Sequence, residues 1–278
     1  MKRIDLNYPE SSVGYRIDRF PDGEVQFVLT EELNRKEEYE VITRITNAEE
    51  LFILLQVGDI LDRQGVLWSL HIRYLMSMRM DRVMSFERPF TLKIVGKMIS
   101  QMGYSFCYID CAHSLRSMIE IRDSKSLDMN PYHFLMLLDE YDVLGVGEHN
   151  IDVVFPDEGA IERYGQKKEE EVYFEKERDI ETGRIKSFVL KNENCIEQGV
   201  HFILYDDLCD AGGTFLGELK VLKEKYPDAK FDIRITHLVN EVGLDNLCQN
   251  FDKVYATESY RDWGKVAAEK GYKNFFII

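Results

Sequence analysis

Residues Val200–Phe215 read VHFILYDDLCDAGGTF. The apolar run Val200-His201-Phe202-Ile203-Leu204 predicts a strand, Gly212-Gly213 a tight turn, and the spacing from Leu216 to Leu222 a helix. Glycines let the backbone pass close to an anion with its N–H groups turned inward, and the helix adds its positive N-terminal end. The adjacent acids Asp206 and Asp207 are placed to accept hydrogen bonds from sugar hydroxyls or to orient a metal. The segment also fits an ordinary strand, turn and helix in which Gly212 and Gly213 serve only the turn.

Outward from this segment, strand-like and helix-like patterns alternate, which predicts an α/β fold. Strands are expected at Glu24–Leu29, Tyr39–Ile45, Val66–Leu75, Tyr104–Ile109, Ile151–Phe155, Phe231–Ile235 and Lys253–Ala256. Asn47 with Glu50 forms a capping box ahead of Leu51-Phe52-Ile53-Leu54-Leu55 and opens a helix toward Arg63; a second helix runs from about Phe90 to Gln101. His113 and Asp157 each follow the carboxyl end of an expected strand, where open α/β sheets bind ligands. The polar stretch Gln166–Arg184 reads as a solvated hairpin or loop, in which Lys176 and Arg178 alternate onto one side.

With 278 residues, 45% of them apolar, the chain can fill two cores of ordinary size. The formal net charge of −15 speaks against a nucleic-acid partner, so anionic nucleotides must be held by local cations. Without a bilayer-length apolar run or a signal-peptide core, the expectation is a cytosolic protein with no membrane partner. Its five cysteines are expected as reduced thiols, and Cys107 with Cys111 lacks the second pair a zinc site would need.

The loop Asp206–Thr214 resembles the ribose-phosphate loop of phosphoribosyltransferases and of ribose-phosphate diphosphokinases, the enzymes that make phosphoribosyl pyrophosphate. Five further segments resemble the diphosphokinase branch, in order. Arg19-Phe20-Pro21-Asp22-Gly23-Glu24 is similar to the RF-x-DGE element, and Tyr74-Leu75-Met76-Ser77-Met78-Arg79-Met80-Asp81-Arg82 to PY-x-x-Y-x-RQDR. Ile109-Asp110-Cys111-Ala112-His113-Ser114 resembles the strand end with the metal- and ATP-binding histidine. Val153–Ala160 looks like VVSPD-x-GG, and Lys176-Glu177-Arg178 like the KRR of a mobile catalytic loop.

The resemblance implies two phosphoribosyltransferase-like domains, 1–145 on the ATP side and 146–278 with the ribose-phosphate and catalytic loops, each a mainly parallel sheet flanked by helices. It implies transfer of pyrophosphate from Mg-ATP to a sugar anomeric hydroxyl. Lys176 and Arg178 would be catalytic. Phe20, Asp22, Glu24, Arg79, Asp81, Arg82 and His113 would bind ATP, and His113 and Asp157 would contact Mg²⁺. Asp206, Asp207, Asp210, Ala211, Gly212, Gly213 and Thr214 would hold the ribose phosphate. Because the RF-x-DGE element serves a neighbouring subunit's adenine, a homo-oligomer, at least a dimer, is expected.

Three departures stand out. Met80 replaces a glutamine, Asp110–His113 is one residue longer than the D-L-H spacing, and Ala211 replaces a threonine whose hydroxyl would hold the 5-phosphate. The chain also ends at Ile278, soon after an apolar strand, where longer members carry a terminal helix. The lost hydroxyl leaves the acceptor open between ribose 5-phosphate and a substituted ribosyl phosphate such as ADP-ribose. A phosphoribosyltransferase of base salvage and a non-catalytic regulatory relative are the competing readings.

Overall fold

A computed structural model describes residues 1–11, 13–140, 151–165, 167–178, 185–197 and 199–278; of 11, 139, 140, 178 and 185 it describes the backbone alone. The chain divides into two units, Met1–Leu127 and Asp128–Ile278. The boundary expected at 145/146 lies outside the described residues.

In the first unit, β1 (Lys2–Asp5), β4 (Glu38–Ile45), β5 (Leu67–Leu75), β6 (Cys107–Asp110) and β7 (Ser124–Leu127) form a parallel sheet in the order β1-β4-β5-β6-β7. β2 (Tyr15–Arg19) and β3 (Val25–Leu29) make a separate antiparallel hairpin. Parallel neighbours need crossovers. Here they include α1 (Ala48–Gln64), α2 (Thr91–Ser100) and the short α3 (Arg116–Glu120). α1 starts where the sequence predicts, with the Asn47 side chain accepting from Glu50 N at 3.0 Å. The reciprocal half of the capping box falls one residue early, because the Glu50 carboxylate accepts from Thr46 N at 2.6 Å. The left-handed Gly65 closes the helix. Gln56 of α1 pins the hairpin, accepting from Phe27 N at 2.9 Å and donating to Val25 O at 3.0 Å.

The second unit opens with α4 (Pro131–Glu140) and continues through β8 (Asp152–Phe155), α5 (Glu158–Tyr164), β9 (Val172–Arg178), β10 (Ile185–Lys191) and β11 (His201–Cys209). It closes with α6 (Gly213–Lys225), β12 (Lys230–Leu238), α7 (Glu241–Asn250), β13 (Lys253–Ala256), α8 (Trp263–Glu269) and β14 (Phe275–Ile277). The sheet order is β10-β9-β8-β11-β12-β13-β14, parallel except for the β9/β10 pair. The charged stretch is therefore partly sheet, since β9 pairs with a strand the sequence did not predict. β10 escaped notice because Ile185–Lys191 mixes lysines, a serine and apolar residues with no clean alternation.

Both faces of the central strands are covered, which is why β8 and β11 read as continuous apolar runs. One face carries Val154, Phe174, Phe202, Leu204 and Ile233 against Phe215, Leu219 and Leu222 of α6, with Leu244 and Trp263 beyond. Among the described residues no helix is long and apolar enough to cross a membrane.

The chain order of these crossovers fixes where a ligand can enter. From β8 the chain passes through α5 to β9 on one side, and from β11 through α6 to β12 on the other. The crevice between β8 and β11 is thus a topological switch point, and it opens at their carboxyl ends. The N-terminal turn of α7 packs against the loop there, so closely that a Cβ on Gly243 would collide with the carbonyl oxygen of Asp210. Backbone cannot yield as a side-chain tip can. Gly243→Ala should accordingly cost about 1–3 kcal/mol of stability, read as a lower urea midpoint, whereas Gly213→Ala, with open space at its Cβ, should change that midpoint far less.

Candidate functional site

Strand β11 runs to Cys209, beyond its apolar stretch, and so carries Asp206 and Asp207 inside the sheet. Successive strand residues face opposite ways. Asp206 shares its side with Phe202 and Leu204, toward α6; Asp207 shares its side with Ile203 and Tyr205, and is 2% exposed. Arg163 of α5 answers the second acid, with Nη1 2.7 Å from Asp207 Oδ1 and 3.7 Å from Asp206 Oδ1. Burial, reinforced by the Asp207 carboxylate and by a hydrogen bond with it, pushes the Asp206 carboxyl well above the ordinary carboxylate range. Of the two acids proposed for the sugar, one is held by an arginine, and burial favours the protonated form of the other.

The loop itself is built as the glycines require. Gly212, at φ 80°, is left-handed and caps α6, so the helix begins directly on the turn with its first amides facing the crevice end. Asn246 Nδ2 donates to Ala211 O at 2.8 Å, Asn240 Nδ2 to Asp210 Oδ1 at 3.0 Å, and Val239 N to Cys209 O at 3.0 Å. Thr214 is half-buried in the first turn. The loop is held by α7 and its cap.

Across the switch point, Asp157 follows β8 and caps α5, its Oδ1 accepting from Ala160 N at 3.1 Å. Its other oxygen accepts from Lys176 Nζ of β9 at 2.7 Å. Burial alone would raise this carboxyl, but the Lys176 charge and hydrogen bond, the Ala160 N–H and Arg163 together bring it below its ordinary value. The pair joins the proposed metal-contacting acid to the proposed catalytic lysine. Arg178 ends β9 opposite Ile185, and its side chain lies outside the described residues.

A residue that the sequence reading passed over completes the constellation. Glu218 sits on α6 between Phe215 and Leu219, is fully buried, and has both carboxylate oxygens without a hydrogen-bond partner among the described residues. Burial raises its carboxyl well above the ordinary range; Lys176 pulls it back, while Asp206 and Asp157 push it further up. The signal was legible: Phe215, Glu218, Leu219 and Leu222 fall on one helical face, so an acid stands where the period demands an apolar side chain. Arg163 had no such signal.

The first unit carries the remaining candidates. Phe20 is 48% exposed beside the hairpin turn, where Gly23 N donates to Phe20 O and Glu24 N to Asp22 Oδ1. Asp22 and Glu24 are exposed too. Arg79 and Arg82 are exposed in the turn after β5, and Arg82 Nε is 3.8 Å from the half-buried Asp81. His113 is half-buried beyond β6. The extra residue of Asp110–His113 is absorbed by Cys111, buried and left-handed at φ 43°. Asp110 itself accepts from or donates to His71 Nε2 at 2.7 Å, according to tautomer and protonation.

No protein-family model matches the chain. Curated proteins named ribose-phosphate pyrophosphokinase do. That of Thermoplasma acidophilum is 22% identical over 245 residues, spanning 87% of this chain and 82% of the relative. The Marinomonas protein is 28% identical over 274 residues, covering 93% and 81%, and the one from Xylella fastidiosa strain Temecula1 29% over 252 residues, covering 87% and 76%. The crystal structure of phosphoribosylpyrophosphate synthetase from Mycobacterium smegmatis superposes with a TM-score of 0.71 at 16% identity, over 96% of this chain and 86% of that one. At that identity the superposition establishes the fold.

The state of Asp206 has a measurable consequence. In the unfolded chain it titrates at its ordinary value, whereas the fold holds its proton to higher pH. The folded state therefore binds more protons above the ordinary value, and stability is lost as pH rises through the raised one. Asp206→Asn should remove that loss: relative to the parent chain, its thermal midpoint should be higher at about pH 8 than at about pH 5. An identical pH dependence in the two proteins would contradict the protonated acid.

Proposed function

We propose that the chain, which is similar to curated ribose-phosphate pyrophosphokinases over most of its length, transfers the β,γ-pyrophosphoryl group of ATP to the anomeric hydroxyl of a ribose 5-phosphate or of a ribose whose 5-phosphate bears a further group. The sugar oxygen attacks the β-phosphorus, the bond to the α-phosphate oxygen breaks, and AMP leaves. The observation that carries this reading is the Lys176–Asp157 pair beside the Asp210–Thr214 loop, both at the end of the β8/β11 crevice.

Phosphoryl transfer asks little covalent chemistry of a protein, so alignment and charge neutralisation supply the rate. The sugar phosphate is held by the backbone amides of Gly212, Gly213 and Thr214, with Asp210 and Ala211 fixed behind them by Asn240 and Asn246. Asp206, whose burial favours the protonated form, can donate to a sugar oxygen as well as accept, while Asp207 stays paired with Arg163. Lys176 exchanges Asp157 for the polyphosphate and, with Arg178, neutralises the charge that develops on the transferred group. Opening this pair is the step that arms both partners.

Among the described residues no group of three His, Cys, Asp or Glu is arranged as a ready-made metal cage. Mg²⁺ commonly binds instead through one or two carboxylates and substrate phosphates, and the oxygen donor of Asp157 fits that pattern. With the nucleotide bound, Mg²⁺ would be held by Asp157 and would screen polyphosphate charge. Phe20, Asp22 and Glu24, exposed at their hairpin turn, are suited to complete an adenine site on a second copy. Arg79, Asp81, Arg82 and His113 are proposed for ATP.

Ala211 bears on the acceptor. A phosphate cradle without a threonine hydroxyl holds a compact dianion less firmly and leaves room for a substituent, which favours an acceptor such as ADP-ribose and a place in NAD metabolism. Incubation with Mg-ATP and a panel of ribosyl phosphates, with products identified by mass, should yield AMP and a pyrophosphorylated sugar. Lys176→Ala should lower turnover by about two orders of magnitude or more with little change in ATP affinity. Ala211→Thr should shift the specificity constant toward ribose 5-phosphate; a parent protein that uses ribose 5-phosphate well and ignores ADP-ribose would sink the substituted acceptor.

A further inference from the structure

Three elements bring charged side chains to one side of the second sheet. Lys176 lies two residues beyond the buried Phe174 on β9, directly opposite Phe188 of β10, so all three share a face. Asp206 lies two residues beyond the buried Leu204 on β11. α6 packs onto that face at Gly217, whose Cβ, if it had one, would strike the Phe188 ring. The next residue on α6 is Glu218, fully buried with both oxygens unpartnered. A carboxyl in that condition costs stability.

Lys176 is the group able to offset that cost. It is 16% exposed by side chain and rests on Asp157, the acid that the proposed function assigns to the nucleotide's cation. When Asp157 turns to that cation, Lys176 would be left as a buried ammonium without an acceptor until the polyphosphate is in place. Glu218 lies near enough for its field and that of Lys176 to act on each other. We propose that Glu218 is a positioning residue, the second acceptor to which Lys176 turns when Asp157 is engaged, keeping the ammonium inside the site and directed at the transferred group.

In the resting arrangement burial favours the neutral, protonated form of Glu218. As Lys176 turns inward, the carboxyl gives up its proton and gains a charge-assisted hydrogen bond. The proton passes to solvent. Asp157, Asp206 and Lys176 are the charged groups that act on Glu218.

The proposal rests on the reading of Lys176 given above for its purpose, but its structural core can be tested without activity. Asp157→Asn mimics loss of the first acceptor. In a crystal structure of that variant, Lys176 Nζ should lie within hydrogen-bond distance of a Glu218 carboxylate oxygen. Glu218→Gln, close to isosteric with the protonated acid, should change the thermal midpoint little in the parent chain. In the Asp157→Asn background it should lower the midpoint by about 3 °C or more beyond the sum of the single effects. Glu218→Gln should also lower kcat about tenfold with KM for ATP within about twofold, the mark of a contact that acts through Lys176 in the transition state. Additive midpoints, a Lys176 that stays at position 157 or turns to solvent, or a Glu218→Gln enzyme with parental kcat would overturn the proposal. A parent chain with no transferase activity would instead remove the proposed function and leave the crystal structure and the midpoints to decide whether Lys176 has two acceptors.

Discussion

Two neighbouring parallel strands, buried on both faces, whose crossovers leave toward opposite edges of the sheet cannot have both exits covered by the same helix, and a crevice must remain between their carboxyl ends. β8 and β11 are those strands. Asp157 caps the helix after one, and the Asp210–Thr214 loop follows the other, so the acid and the glycine loop are brought side by side by topology. The left-handed Gly212, the close packing at Gly243 and the asparagines that fix the loop all serve an arrangement that the strand order has already imposed.

Charge is the second organising feature. The chain is strongly acidic, yet its switch point gathers Asp157, Asp206, Asp207 and Glu218 around Lys176 and Arg163. The two cations settle two of the acids, Asp157 and Asp207. In the other two, burial shifts the balance toward the protonated form.

The first unit shows the opposite economy of placement. Phe20, Asp22, Glu24, Arg79 and Arg82 are at the surface, and the hairpin that presents three of them is anchored to α1 through Gln56. Such exposure is what a site completed by another molecule requires. Cys111 shows how an inserted residue is accommodated: a left-handed, buried position takes up the extra length of chain before His113.

Much of this was legible in the residues. The apolar runs of β8 and β11, the Asn47 cap, the glycine pair and the strand-end positions of His113 and Asp157 are local features, governed by periodicity and turn chemistry over a few residues. The strand β10, the partnership of Arg163 with Asp207 and the burial of Glu218 were not, since each depends on which distant segment packs alongside. The α/β class, the loop at Gly212-Gly213 and the identity of the charged groups were determined by the sequence itself. Whether an acid carries its proton, and which lysine or arginine answers it, was decided only by tertiary structure, because a pKa is set by the water removed and the charges brought near, and folding does both.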